Sequence, residues 1–366
     1  MITSAGINGA TRSVIDLARE QQSDGWDSLV LLAREGYATE ACARVGVPTM
    51  LLPELLAVEN KDASRHRLIR ETAAQCAQRL GGLSIDLIHT HLPSAGLRTA
   101  TQIGERLRIP VVQTHHSIRV APADVETALQ SQLQFIAVAE CASKLLVEHG
   151  IEKDRVHYIP NGISQPSRSV HFFDPSGRPH LVFVARLVPD KGLDSALGAM
   201  KILEDRLGDA APDLHVFGDG PDRERCESRA LRDGLTESVM FHGTVPDVLG
   251  PGLDALALLA PSRREACPLN VLEAMASGIP VITVGVGDVV NMIADRVNGR
   301  LVPPDDSCAI AYSVIELLAD SRMRSRYARK AREIYSRSHS LKVMADRTAE
   351  LYSDILRAFA DRPVSK

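Results

Sequence analysis

The chain alternates short apolar runs, rich in β-branched residues, with longer stretches in which apolar positions return every three or four residues. These are the signatures of strands and of helices with one buried face. In the first half the runs are Ser28 to Ala33, Thr49 to Leu52, Asp86 to His89, Val111 to Thr114, Phe135 to Ala139 and Val156 to Ile159. In the second half they are His180 to Ala185, Leu214 to Phe217, Val239 to Phe241, Ala255 to Leu259, Pro280 to Val284 and Arg300 to Val302. Such alternation predicts parallel sheets with crossover helices, and two sets of it predict two doubly wound domains. The stretch Asn161 to Pro179, rich in Ser, Pro and Gly, reads as the connection between them. The predicted division is residues 1–165, a linker at 166–179 and a second domain at 180–345, with 346–366 as a terminal helix. Ser307 to Phe359 reads as two or three helices. In folds of this class the ligand sits beyond the carboxyl ends of the strands, so the cleft between the domains is the expected site.

Composition narrows this picture mainly by exclusion. With 366 residues, 45% apolar and 24% charged, and a net charge of −4, the chain can build two cores and has no bulk charge to attract nucleic acid. Its six cysteines, at 42, 76, 141, 226, 267 and 308, form no C-x-x-C pair. That spacing predicts reduced thiols in a cytoplasmic protein rather than a disulfide framework or a zinc site. No apolar run approaches about 18 residues and no charged-then-apolar leader is present, so neither a membrane span nor a signal segment is expected.

Candidate chemistry concentrates between Arg264 and Val281. The apolar run ending at Ala260 gives way to Pro261-Ser262, Pro268 suits the first turn of a helix, and Gly278 followed by Pro280 stops it. Glu265 then falls in the loop at a strand's carboxyl edge, and Glu273 lies inside the next helix. Between them the free N–H groups near Leu269 and Asn270 make a seat for phosphate. A carboxylate on either side of an anion seat suits a molecule with hydroxyls at both ends and phosphates in the middle, which describes a nucleotide sugar. A pair of glutamates flanking a helix start also simply favours its macrodipole.

Glu265-(x7)-Glu273 followed by Ala274-Met275-Ala276 and Gly278-Ile279-Pro280-Val281 resembles the signature of glycosyltransferase family 4, the retaining enzymes of GT-B fold. The strand Leu181 to Ala185, then Arg186-Leu187 and Asp190-Lys191-Gly192, is similar to the family's strand-Gly-Arg-Leu and Lys-Gly pattern. Val216 to Pro221, Val239 to Gly243 and Asn298 to Pro304 match further family segments in order. The resemblance implies an α/β architecture of two Rossmann-like domains facing across a cleft: an acceptor-side N-terminal domain, a nucleotide-sugar-binding C-terminal domain, and a last helix crossing back to the first. It implies that Glu265 meets the donor sugar, Glu273 meets the ribose hydroxyls, and Arg186 and Lys191 hold the donor diphosphate. Gly218 and the loop Gly6 to Arg12, with Gly6 and Gly9, would approach the donor phosphates. His116 would occupy the family's cleft histidine position. No cofactor or metal is expected, because the chain holds no Asp-x-Asp and two cations with a helix start would do that work.

Departures from the family bear on specificity. Ala266 and Cys267 stand where Gly and Phe are common, and Asn291 stands where a Glu is usual. Only Met1 to Ser4 precede the first glycine loop, where the family has a full apolar strand. A doubly wound sheet places that strand centrally, so a chain start cut short there predicts a slot with unpaired backbone groups. His89 and His91, alternating on one strand face, also offer a metal pair.

The expected activity is retaining, metal-independent transfer of a hexose-type sugar from a UDP- or GDP-linked donor to a hydroxyl acceptor. The acceptor class is a glycan or lipid-linked glycan of cell-surface polysaccharide, lipopolysaccharide or glycolipid synthesis. Arg65-His66-Arg67 with Arg70 would serve peripheral contact at the inner membrane face, or simply form a solvated helix face. Alternatives left open are a metal-dependent hydrolase using His89 and His91, a sugar-nucleotide 2-epimerase of related fold, and a catalytically silent donor-binding protein.

Overall fold

The computed structural model describes residues 9–58, 66–167 and 177–361. Its elements in chain order are α1 Gly9–Ser23, β1 Val30–Leu32, α2 Tyr37–Val45, β2 Thr49–Leu51, α3 His66–Leu80, β3 Ile88–Thr90, α4 Ala95–Leu107, β4 Val111–His115, α5 Pro122–Leu129, β5 Gln134–Ala137, α6 Glu140–Glu148 and β6 Val156–Tyr158. They continue as β7 His180–Val184, α7 Leu193–Leu207, β8 Asp213–Phe217, α8 Arg223–Arg232, β9 Val239–Gly243, β10 Ala257–Ala260, α9 Leu269–Ser277, β11 Val281–Val284, α10 Val289–Met292, β12 Arg300–Val302, α11 Ser307–Ala319, α12 Ser321–Ser338 and α13 Leu341–Ala360. Every run read as a strand from the sequence is a strand here, with ends shifted by one or two residues. The chain forms two units, one of residues up to Gly162 together with Leu341 onwards, the other Ile163–Ser340. The helix that rejoins the first unit is thus α13, which starts at Leu341 and so before the 346 boundary expected from sequence.

The second unit is one six-stranded parallel sheet in the order β12-β11-β10-β7-β8-β9. Its inner strands β7 and β10 are buried almost throughout, which is why they read as unbroken apolar runs rather than alternating ones. Helix α7 closes one face of the core with Leu193, Ala196, Leu197, Met200 and Leu203, a stripe at helical spacing. Strand order reverses between β7 and β10, and this switch point is where the loops after both strands diverge to leave a ligand site.

In the first unit β3-β4-β5-β6 form a four-stranded parallel sheet, and β1-β2 a separate two-stranded one. Among the described residues β1 and β3 are not paired with each other. The expected shortened first strand and Gly6 both fall in residues 1–8, outside the described residues. Helix α13 belongs to this unit's core: Leu341, Met344, Ala345, Leu351, Tyr352 and Ile355 pack with Leu17, Val112, Ile136 and Ile159. The Tyr352 ring meets Trp26 edge-on, with centroids 5.6 Å apart.

All six cysteines are free thiols, four of them buried. Among the described residues no helix is long and apolar enough to cross a membrane. Of the basic patch read in α3, Arg65 lies outside the described residues, and the exposed Arg67 is paired with Glu71 at 2.8 Å.

Because α13 completes the first unit, Tyr352→Ala should cost about 3–5 kcal/mol, the range for truncating a buried large aromatic. The chain's single tryptophan, Trp26, is in contact with that ring, so urea unfolding followed by its fluorescence reports this unit. A loss well under about 1 kcal/mol would show that α13 is not part of its core.

Candidate functional site

The carboxyl ends of β7, β8, β10 and β11 lead into loops that lock together. Ala185 N–H donates to Phe217 O and Leu187 N–H to Asp219 O, at 3.0 and 2.9 Å, tying the loop after β7 to the end of β8. Asp288 N–H donates to Ala266 O at 2.7 Å, tying the loop after β11 to the one after β10. These approaches are too close for side chains. A Cβ on Gly218 would lie 1.8 Å from Ala185 O, and one on Gly287 would lie 2.0 Å from Glu265 O. The glycine at 218 therefore has a packing reason independent of any ligand.

On this frame the structure brings Lys191 and Glu265 together, with Nζ to Oε1 at 2.5 Å. Ser262 Oγ donates to the same carboxylate oxygen at 3.0 Å. The pair is only partly exposed, at 26% for the lysine and 14% for the glutamate side chain, so the lysine still faces solvent on one side. A lysine ammonium carries three donors, and one bond to Glu265 leaves two for another anion. Arg186, on the same loop as Lys191, is exposed, and among the described residues its guanidinium makes no ion pair.

Helix α9 starts beside this pair. Pro268 sits at its N-cap, one position before the first turn, and no side chain caps the helix. Asn270 spends its side chain internally: Nδ2 donates to Val184 O at 2.8 Å and Oδ1 accepts from Val271 N–H at 2.9 Å. That tether pins the helix start to the end of β7. The N–H groups of Leu269 and Asn270 have no partner among the described residues, so two backbone donors and the positive end of the helix are available. Glu273 is half-buried further along α9.

Sequence reasoning missed the residues that hold these loops in place. Arg263 binds Asp305 Oδ1 at 2.7 Å and Asp194 Oδ2 at 2.8 Å, and also donates to Pro189 O. Arg264 pairs with Asp190. The only sequence signal was a run of two arginines before Glu265 and an Asp before Lys191, and their pairing across 74 residues is a tertiary fact.

His116 is in the first unit, just past β4, with its Nε2 2.9 Å from Nδ1 of His91 and the two rings stacked. Burial, then the neighbouring His115, pushes His116 down to about 4. His91 and His89 also lie well below the usual histidine range, chiefly through burial. His89 is committed on both sides, with Nε2 2.7 Å from Thr114 Oγ1 and Nδ1 hydrogen-bonded to the Tyr352 hydroxyl. His89 therefore has no nitrogen left to join His91 in an open metal pair. Among the described residues no group of three or more His, Cys, Asp or Glu is placed to hold a metal. Gly9 opens α1 as its first residue. A groove of about 1610 Å³ in the same unit, lined by Arg108, Gln134, His157, Arg347 and Phe359 among others, contains none of the residues singled out by sequence.

The histidine geometry sets a pH dependence. The unfolded chain takes up these protons near pH 6.5, whereas folded His116 resists to about 4. Stability of the first unit should be full above about pH 6.5 and fall as pH drops toward 4. Trp26-monitored urea midpoints across that window check this, and a His91→Gln, His116→Gln double variant should give a flatter profile.

Residues 7–165 match the family model described as Glycosyltransferase Family 4, and residues 169–334 match that of Glycosyl transferases group 1. An exopolysaccharide phosphotransferase of Streptomyces coelicolor is 32% identical over 208 residues, which are 55% of this chain but 21% of that protein. A D-inositol 3-phosphate glycosyltransferase of Xylanimonas cellulosilytica is 28% identical over 284 residues, 68% of this chain and 67% of the relative. Among solved structures, Alr3699/HepE of Anabaena in complex with UDP aligns with a TM-score of 0.79 at 19% identity, over 96% of this chain and 98% of that one. This last likeness is one of fold, and the fold is GT-B, with two Rossmann-like parallel sheets. With one family model matching each half, the chain belongs to glycosyltransferase family 4.

Proposed function

We propose that the protein is a retaining glycosyltransferase that moves a hexose-type sugar from a UDP- or GDP-linked donor to a hydroxyl acceptor, without a metal ion. The observation that carries this reading is the start of α9. The backbone N–H groups of Leu269 and Asn270, without partners among the described residues, fall in the chain between Glu265, paired with Lys191, and Glu273. The donor diphosphate would take those N–H groups, the free donors of Lys191, and Arg186. At an effective dielectric near 20, a unit charge pair about 4 Å apart is worth roughly 4 kcal/mol. Two such cations would offset the charge that grows on the departing nucleotide. Glu265 is tolerable beside a diphosphate because Lys191 stays bound to it and screens the carboxylate. Glu273 would accept from the ribose hydroxyls.

In the step proposed, the bond from the sugar's anomeric carbon to the donor phosphate oxygen breaks, and its electron pair stays on that oxygen. The acceptor oxygen bonds to the same face of the oxocarbenium-like sugar. The leaving phosphate oxygen takes the acceptor's proton, so no covalent enzyme intermediate and no separate base are required. Glu265 positions the donor sugar, and His116, neutral at physiological pH, is assigned to the acceptor side.

Support for the donor class comes from the Anabaena neighbour, whose structures include complexes with UDP and UDP-glucose. Support for a role in polysaccharide or glycolipid synthesis comes from relatives named as an exopolysaccharide phosphotransferase and a GDP-mannose-dependent phosphatidylinositol monomannoside mannosyltransferase. A lipid-linked glycan as acceptor, with peripheral contact at the inner membrane face, fits that setting.

A thermal-shift panel of UDP, GDP, ADP and their sugars should raise the melting temperature with at least one base, and no shift with any of them rejects the reading. Activity with that donor should survive a chelator. Lys191→Ala should lower kcat by roughly 10²–10³, the scale of losing one transition-state donor, and wild-type turnover would remove its assigned role. Glu273→Ala should chiefly raise the donor KM; an unchanged value excludes the ribose contact.

A further inference from the structure

Lys191 and Glu265 stand on different loops, 74 residues apart in sequence, and their 2.5 Å contact requires those loops to hold a fixed spacing. Arg264 bridges them through Asp190, and Arg263 through a larger set of partners. The backbone N–H of Arg263 donates to Asp190 O at 2.8 Å, next to Lys191. Its guanidinium donates to Pro189 O on the same loop, to Asp194 Oδ2 at 2.8 Å in the first turn of α7, and to Asp305 Oδ1 at 2.7 Å beyond β12. Ser195 Oγ lies 3.4 Å from the same Asp305 oxygen, so the far end of the clamp is itself anchored. Three chain segments thus meet on one cation, two residues before Glu265.

We infer that Arg263 is the positioning residue of the donor seat, setting the register of Lys191 against Glu265 without itself touching the donor. The inference rests on the reading of that seat given above. Its charge is already balanced by Asp194 and Asp305, which leaves it little attraction for phosphate. Its planar fork spreads five donors over three nitrogens and so reaches acceptors too far apart for the three donors on a single lysine nitrogen. A displacement of about 1 Å at the reacting groups can cost about 10²-fold in rate, so a clamp of this kind need not contact the substrate to matter.

The test compares full-length wild type with Arg263→Ala, Arg263→Lys and a control, Arg324→Ala. Arg324 also joins backbone carbonyls, those of Leu317 and Leu318 at the end of α11, but away from the two loops. Backbone hydrogen exchange and UDP and GDP affinities are measured on all four. Arg263→Ala should speed exchange at Lys191 and Gly192 and weaken nucleotide binding about tenfold or more, Arg263→Lys should fall between it and wild type, and Arg324→Ala should alter neither. Should Arg263→Ala fail to fold, the same comparison is read on Arg263→Lys. Unaltered exchange and affinity in a wild type that does bind nucleotide overturn this inference alone, as does an equal loss in Arg324→Ala. A wild type that binds neither nucleotide overturns the donor-seat reading and this inference with it.

Discussion

The arrangement of the second unit depends on how closely its strand-end loops can nest. Gly192 is in the left-handed region at φ 72°, and a Cβ there would lie 2.1 Å from Pro261 O. Gly287 has φ 57° and the same kind of contact with Glu265 O. Each glycine lets one loop's backbone press against another's, which a side chain would prevent. The consequence is chemical: the loop after β7 and the loop after β10 are close enough for a lysine on one to reach a glutamate on the other. Close packing creates the proximity, and the Arg263 and Arg264 ion pairs then hold it against the cost of gathering so many charges in one place.

Much of this fold was legible in the sequence because buried parallel strands declare themselves. Strands such as β7 and β10, covered on both faces, contain no polar alternation to confuse with anything else. Helix α13 was legible as a helix but begins at Leu341, ahead of the expected boundary at 346, directly after Ser340, a residue type favoured at helix starts. Lys191, Glu265 and Glu273 are candidates on the family resemblance and Asn270 on the predicted helix start, and the structure brings Lys191 and Glu265 into contact. What each side chain does was less legible. Asn270 looked like part of the anion seat, yet its amide is used to moor the helix to Val184 O, leaving only its backbone N–H. His89 looked like a metal ligand by alternation, yet hydroxyls from β4 and α13 occupy both its nitrogens. Such roles depend on partners 25 to 263 residues away, and no local pattern encodes them.

The two units use one architecture for different chemistry at their strand ends. In the second unit the ends carry charges, nearly all of them compensated: Lys191 by Glu265, Arg264 by Asp190, and Arg263 by two aspartates. Arg186 is the exception among these. An anion arriving there would find an exposed guanidinium and two backbone donors without having to break the existing pairs. In the first unit the ends of β3 and β4 carry histidines that burial keeps neutral. A neutral imidazole has one donor and one acceptor, and here His89 spends both on Thr114 and Tyr352 while His91 and His116 bond to each other. The contrast is one of charge at the strand ends of the second unit against neutral rings at those of the first.

It also bears on why Glu265 can tolerate its position. A carboxylate in a partly enclosed site would ordinarily repel a diphosphate, and removing its charge by protonation would forfeit its value as a hydrogen-bond acceptor for sugar hydroxyls. Ser262 and Lys191 both bond to one oxygen, Oε1. The second oxygen is thereby left as the acceptor, while the charge is balanced from the other side. A glutamate so placed can orient a neutral sugar and sit beside an anion at once, and glutamine could keep the shape but would lose the attraction that holds Lys191 in place.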